Sequence, residues 1–180
     1  MVDNGSLKVL NILSNASAVI AKGEVMQLMT EGNPETGIED YLQVISSKTA
    51  VLFAAACELG AVAAGDESRE APLRRFGMEI GIAFQLMDDV LDYSANQAQL
   101  GKTIGDDFRE GKITLPIILA YSAGTGEEKT FWKRCLSDRA QQAGDFERAC
   151  ELLAKYGALA QASRLAADYC EKARNALAGF

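Results

Sequence analysis

Leu7, Leu10, Ile12, Leu13, Val19, Ile20, Val25 and Leu28 recur at helical spacing behind Ser6, which can cap a helix running to about Glu31. Gly32-Asn33-Pro34 stops it. Thr36-x-x-Glu39 reads as a capping box that opens a second helix, extending to Ala64 and closed by Gly65. A third segment, about Arg69 to Ser94, places Leu73, Phe76, Ile80, Phe84, Met87 and Leu91 three and four apart. Residues 95–113 lose that period and set Gly101, Gly105 and Gly111 among Lys102, Asp106, Asp107 and Arg109, which predicts a loop. Beyond it, Thr114-Leu115-Pro116 puts a proline in a first helical turn, and Gly124 ends that piece. Thr125-x-x-Glu128 predicts a capping box for 126–137, Asp145 is expected to cap 146–156, and 158–178 reads as a last amphipathic helix. No strand-type alternation competes, so the expected fold is all-α, a helical bundle in one domain over 1–180.

Composition narrows the chemistry. At 180 residues and 48% hydrophobic, the chain can fill a core. Its net charge of −7 argues against non-specific nucleic-acid binding. With no histidine, Ser-His-Asp and Cys-His nucleophiles, His-ligated zinc and His general bases are excluded, leaving carboxylates, amides, hydroxyls and cations. Cys57, Cys135, Cys150 and Cys170 are too far apart for a C-x-x-C motif, and each falls in a helical pattern. Buried, reduced thiols in a cytoplasmic protein are expected. Met1-Val2-Asp3-Asn4-Gly5 lacks a cationic start before an apolar run, so no signal peptide is expected. Ala50 to Gly65, the most apolar stretch, is broken by Glu58 and shorter than the roughly 20 residues of a spanning helix, so no transmembrane segment is expected.

Three places carry chemistry. In Gln85-Leu86-Met87-Asp88-Asp89-Val90-Leu91-Asp92, helical spacing puts Gln85, Asp88 and Asp92 on one face, with Asp89 about 100° around from Asp88. Carboxylates one turn apart repel, and Mg²⁺ suits them: it takes one or two carboxylates, keeps waters and completes its shell with substrate phosphate oxygens. The bland alternative is a solvated acidic patch. The following loop, Gly101-Lys102-Thr103-Ile104-Gly105-Asp106-Asp107 with Arg109-Glu110-Gly111-Lys112, offers a permissive backbone and two lysines suited to phosphate, against the plain reading of a charged surface loop. Lys48-Thr49 is the third; Lys48 is the only cation between Lys22 and Arg69, and either snorkels to water or faces an anion.

These residues carry a resemblance. The run Gly81-Ile82-Ala83-Phe84-Gln85-Leu86-Met87-Asp88-Asp89-Val90-Leu91-Asp92-Tyr93, followed by Gly101 to Pro116, resembles the second aspartate-rich region of the trans-polyprenyl diphosphate synthases. It looks most like the long-chain branch that makes octaprenyl to decaprenyl tails. Gly23-Glu24-x-x-Gln27 and Tyr41-x-x-x-Ile45-x-x-Lys48-Thr49-Ala50 match upstream in family order, while 123–180 fits only as amphipathic helices.

The resemblance implies a helical fold of the isoprenoid synthase type and condensation of isopentenyl diphosphate with an allylic diphosphate. It implies that Asp88 and Asp92, with Asp89 beside them, help hold Mg²⁺ on the allylic diphosphate. Lys48, Lys102 and Lys112 would contact that diphosphate; Thr49 and Gln85 would steady the allylic cation. Asp106 resembles a carboxylate supporting Lys102, and Glu24 and Gln27 take supporting roles. A homodimer is implied as well.

The departures matter too. The family's first aspartate-rich motif and its isopentenyl diphosphate site have no counterpart, and Asp88-Asp89-x-x-Asp92 is the only such triplet. Met1 to Ser6 resembles sequence just after that first motif, and Ala178-Gly179-Phe180 falls short of the usual last helix. The expectation is the C-terminal half to two-thirds of a synthase, lacking its N-terminal helices and unable to elongate prenyl chains alone. A non-catalytic subunit of a heteromeric synthase, or a terpene cyclase-like relative, are the alternatives. The small side chains Ala54, Ala55, Ala56, Gly60, Ala61, Ala63 and Ala64 suit close helix packing, or room for an apolar product.

Overall fold

A computed structural model describes residues 5–94 and 104–180, so the expectations for Met1–Asn4 and for Lys102 lie outside the described residues. Every regular element among the described residues is helical: α1 (Leu7–Thr30), α2 (Ile38–Ile45), a π-helical turn (Ser46–Ala50), α3 (Val51–Ala64) and α4 (Glu67–Leu91) come first. Then follow α5 (Asp106–Arg109), α6 (Leu115–Ala123), α7 (Gly126–Trp132), a second π-helical turn (Lys133–Ser137), α8 (Asp145–Lys155) and α9 (Ala158–Ala176).

The expected signals govern most ends. Ser6 Oγ accepts from the Val9 N–H at 3.3 Å, and Gly65 closes α3 in the left-handed conformation at φ 70°. Thr125 and Glu128 form the reciprocal capping box of α7. Two caps differ from expectation. The Tyr41 N–H bonds to the Gly37 carbonyl, which starts α2 one residue late for a Thr36–Glu39 box. The Thr36 hydroxyl donates instead to the Asn33 carbonyl at 2.7 Å, closing the turn made by Gly32-Asn33-Pro34. Asp145 is the first residue of α8 and not its cap, which is Gly144. Its carboxylate takes a two-pronged bond from Arg134 at 2.7 and 2.8 Å and a third from the Gln142 N–H at 2.6 Å. A bidentate guanidinium outweighs a single capping bond.

α2, the π turn and α3 run on without a break. Among the described residues this run, Ile38–Ala64, is long and apolar enough to cross a membrane by length and composition alone, a test that the core helix of a soluble protein also passes. Judging Ala50–Gly65 alone understated its length, because the π turn continues the helix through Lys48.

The chain divides into two compact units. The first comprises the residues up to Met26, Leu42–Gln85 and Ala166–Phe180. Its core joins Ala16, Val51 and Ala55 with Ile12, Ile20 and Met78 against them. Gly77 and Gly81 let α4 lie close on α3: a Cβ at Gly77 would stand 2.4 Å from the Phe53 carbonyl oxygen. The second unit, Gln27–Tyr41 with Leu86–Leu165, is built around Trp132, Phe108, Ile117, Leu136, Leu152 and Leu153, all essentially without solvent contact. Burying each such side chain contributes about 1.5–3 kcal/mol, so this core holds its loops firmly. All four cysteines are free thiols; Cys135 is buried, but Cys57 and Cys150 are half-buried and Cys170 is exposed. The expectation of four buried thiols therefore fails at Cys170, which lies on the solvent side of α9.

Candidate active site

In the first unit, the π turn carries Lys48 and Thr49. One extra residue per turn re-aims the groups around it, and such turns within α-helices recur at functional sites. The Lys48 ammonium lies 3.2 Å from the Glu24 carboxylate of α1. The Thr49 hydroxyl donates to Gln85 Oε1 of α4 at 3.1 Å. Glu24 thus meets Lys48 directly, and the two residues expected to face a cation are bonded to each other. A hydroxyl and an amide oxygen are neutral and weakly nucleophilic, the right chemistry for stabilising positive charge without capturing it.

In the second unit, α4 presents Asp88 to solvent, whereas Asp89 is buried. The Tyr41 hydroxyl donates to Asp89 Oδ2 at 2.6 Å, with both residues 4% exposed. Burial and the Asp89 charge hold the Tyr41 phenol well above the ordinary tyrosine range. Asp92, just past α4, is half-buried; its Oδ2 accepts from the Asp107 N–H at 3.0 Å, and its carbonyl accepts from the Gly105 N–H at 2.8 Å. Burial first, then the charge of Asp107, push the Asp92 carboxyl above the usual carboxylate range. Lys112 closes the cluster at 2.8 Å from Asp107 Oδ1 and 2.7 Å from Glu110. Burial alone would lower the Lys112 ammonium, but its bonds to Asp107 and Glu110 raise it well above the ordinary lysine range.

The remaining predicted residues fall elsewhere. Asp106 is exposed and accepts from Arg109 at 2.6 Å. Gln27 is half-buried near the end of α1, its carbonyl taking the Glu31 N–H at 2.9 Å and the Thr30 hydroxyl at 3.0 Å. Asp107 and Tyr41 are the site residues that sequence reasoning did not assign. Asp107 follows Asp106 in an Asp pair, but fifteen residues separate it from Asp92 and no helical period links them. Tyr41 stands in a matched block, yet only the fold reveals Asp89 as its partner.

The donor set suits a hard divalent ion. Among the described residues no three acidic, cysteine or histidine side chains form a ready-made metal cage. Mg²⁺ does not need one, since it takes one or two carboxylates and fills its shell with water and phosphate oxygens. Asp88, exposed, and Asp92, half-buried just past α4, fit that demand, while buried Asp89 accepts from the Tyr41 hydroxyl.

A family model described as polyprenyl synthetase matches residues 1–153. The chain belongs to this family. An octaprenyl diphosphate synthase from Haemophilus influenzae is 43% identical to this synthetase-family chain over 176 residues, 96% of this chain and 52% of that protein. A crystal structure of a decaprenyl diphosphate synthase from Rhodobacter capsulatus superposes with a TM-score of 0.92 at 46% identity, covering 99% of this chain and 55% of that one. A polyprenyl synthase from Caulobacter crescentus CB15, complexed with calcium and isoprenyl diphosphate, gives 0.93 at 50% identity, covering 99% and 55%. The chain spans about half the length of the relatives it matches. Like those synthases, this member of the polyprenyl synthetase family is all-α.

Proposed function

We propose that this chain supplies the second metal-and-diphosphate half of a long-chain trans-polyprenyl diphosphate synthase. The observation that carries the reading is the cluster of Asp92, Asp107 and Lys112, which joins the acidic end of α4 to the glycine-containing loop. Asp88 and Asp92 would hold Mg²⁺, which when bound neutralises charge developing on an allylic diphosphate leaving group. Lys112 would place further positive charge toward the diphosphate, with Asp107 fixing where it points; Lys102, outside the described residues, is assigned the same contact on the family resemblance alone. Lys48 of the first unit would also contact the diphosphate, as the family resemblance implies, with Glu24 beside its ammonium. Thr49 and Gln85 face the allylic cation with hydroxyl and amide oxygens. Asp89 is a positioning residue that anchors Tyr41. The Caulobacter complex with calcium and isoprenyl diphosphate supports this ligand chemistry.

Isopentenyl diphosphate is the proposed second substrate, and a homodimer the proposed assembly. Leu7, Leu10, Val25, Leu28 and Met29 of α1 are exposed, an apolar set that fits a second copy. Free thiols fit a cytoplasmic setting. The chain alone is proposed to leave prenyl chains unextended; steady incorporation of labelled isopentenyl diphosphate by the pure protein refutes that part.

Calorimetric titration of farnesyl diphosphate, with and without Mg²⁺, tests the site. Mg²⁺-dependent binding is expected, weakened about tenfold or more by Asp88→Asn and by Asp92→Asn, as removing a charged contact commonly does. Asp89→Asn is expected to retain it. Binding that ignores Mg²⁺, or that Asp89→Asn destroys while Asp88→Asn spares it, refutes the assignment.

A further inference from the structure

We infer that Gly23 of α1 and Gly81 of α4 are positioning residues that hold the π-helical turn bearing Lys48 and Thr49 from two sides. This rests on the reading of Lys48 and Thr49 given above. A glycine inside a helix is locally unfavourable relative to alanine, so its presence asks for a reason in the packing. At Gly60 of α3 an added Cβ would meet nothing within 4 Å. At Gly23 it would stand 2.7 Å from Lys48 N, 2.9 Å from the Ser47 carbonyl carbon and 3.0 Å from Lys48 Cα. At Gly81 it would stand 2.6 Å from Ala50 Cα and 2.9 Å from Ala50 Cβ.

The atoms in the way at Gly23 are all main chain, so no rotamer change relieves the clash. A methyl group there drives either α1 or residues 46–50 outward. The π turn is the weaker of the two, because a single π turn is not a self-sustaining helical form and depends on its surroundings. Lys48 and Thr49 are carried on that backbone, so their side chains move with it. Gly81 sets the depth of α4 one turn before Gln85, and with it the 3.1 Å bond from Thr49 to Gln85. Displacements of an ångström or less at groups that bind or stabilise charge are costly, whereas general packing loss spreads over the whole unit.

The test pairs ¹H–¹⁵N amide spectra with calorimetric titration of farnesyl diphosphate in Mg²⁺. It uses the parent chain, Gly23→Ala, Gly60→Ala, Lys48→Ala and the Gly23→Ala/Lys48→Ala double variant. Gly23→Ala is expected to shift the amides of Ser47 to Ala50 and to weaken binding about tenfold or more. In the Lys48→Ala background it should add little, because a residue acting through Lys48 has nothing further to lose. Gly60→Ala should leave the amides of Ser47 to Ala50 and the affinity unchanged. Unmoved amides in Gly23→Ala overturn the inference by themselves. So does an affinity within about twofold of the parent, or a fully additive loss in the double variant, the mark of independent sites. A parent chain that fails to bind refutes the functional reading on which this rests, whatever the amides show. If Gly23→Ala does not fold, Gly81→Ala carries the same test. If neither folds while Gly60→Ala does, the glycines serve general packing and the positioning role is refuted.

Discussion

Removing the Tyr41 hydroxyl isolates one buried, charge-assisted bond. Tyr41→Phe keeps the ring and opens no cavity, so the change is confined to the donor. The bond measures 2.6 Å between two residues that are each 4% exposed, which is the range of an O–H donor on a carboxylate. Such a bond contributes about 1.5–3 kcal/mol, against about 1 kcal/mol for a neutral one. At about 2 kcal/mol and about 2–4 °C per kcal/mol for a chain of this size, the melting point should fall about 4–8 °C. Asp89→Asn keeps an acceptor oxygen and should cost less. Urea unfolding of the parent, both single variants and the double gives the coupling, expected at about 1–2 kcal/mol with m unchanged. Trp132, the single tryptophan, is buried in the same unit and reports the transition. A coupling below about 0.5 kcal/mol refutes the argument that Asp89 and Tyr41 act as a buried pair.

Acid should loosen the second unit in a defined window. Glu128, bonded by Lys155, Tyr156 and the Thr125 N–H, is held at about 2 against an ordinary 4.5; Asp145, bonded by Arg134, is held at about 2 against 3.8. Both values are depressed by folding, so their contribution is complete above the unfolded values and is lost as pH falls toward 2. Melting followed from pH 5 to 2 should drop through that range, and Glu128→Gln should flatten the curve; an unchanged slope refutes the assignment. Gly105→Ala should cost about 2–4 kcal/mol, because Gly105 sits at φ 79° and a Cβ would stand 2.3 Å from the Phe146 ring. Its denaturation midpoint checks this, and farnesyl diphosphate affinity should fall with it as the Gly105–Asp92 bond is disturbed. An aromatic disulfide reagent should label exposed Cys170 first and Cys135 last, since burial and the Asp145 charge push the Cys135 thiol up to about 12. Mass spectrometry of the native protein distinguishes the order, and early labelling of Cys135 contradicts its burial.

Helices, their punctuation and the identity of the charged residues were legible in the chain, because propensity, capping and period act over four or five neighbours. Ser6, Gly65, Pro116 and the Thr125–Glu128 box mark ends where the structure also has them. Asp145 shows the limit of that logic: its cap role looked local, but Arg134 offers two bonds from eleven residues away. The acidic run on α4 was visible as chemistry, and helical spacing set Asp89 at a different angle from Asp88 and Asp92, yet the sequence did not say which side is buried. Burial and a partner 48 residues distant separate them, turning Asp89 toward Tyr41 while Asp88 stays in solvent. Asp107 meets Asp92 through a main-chain bond between residues fifteen positions apart, and Glu24 meets Lys48 through the packing of α1. The π turn has no composition of its own, and the closeness of Gly23 and Gly81 to its backbone is visible only in the packed structure. Local physics therefore wrote the helices and the inventory of charges into the chain. Which carboxylate meets a tyrosine or a lysine was decided by desolvation and close approach, which exist only once distant segments pack.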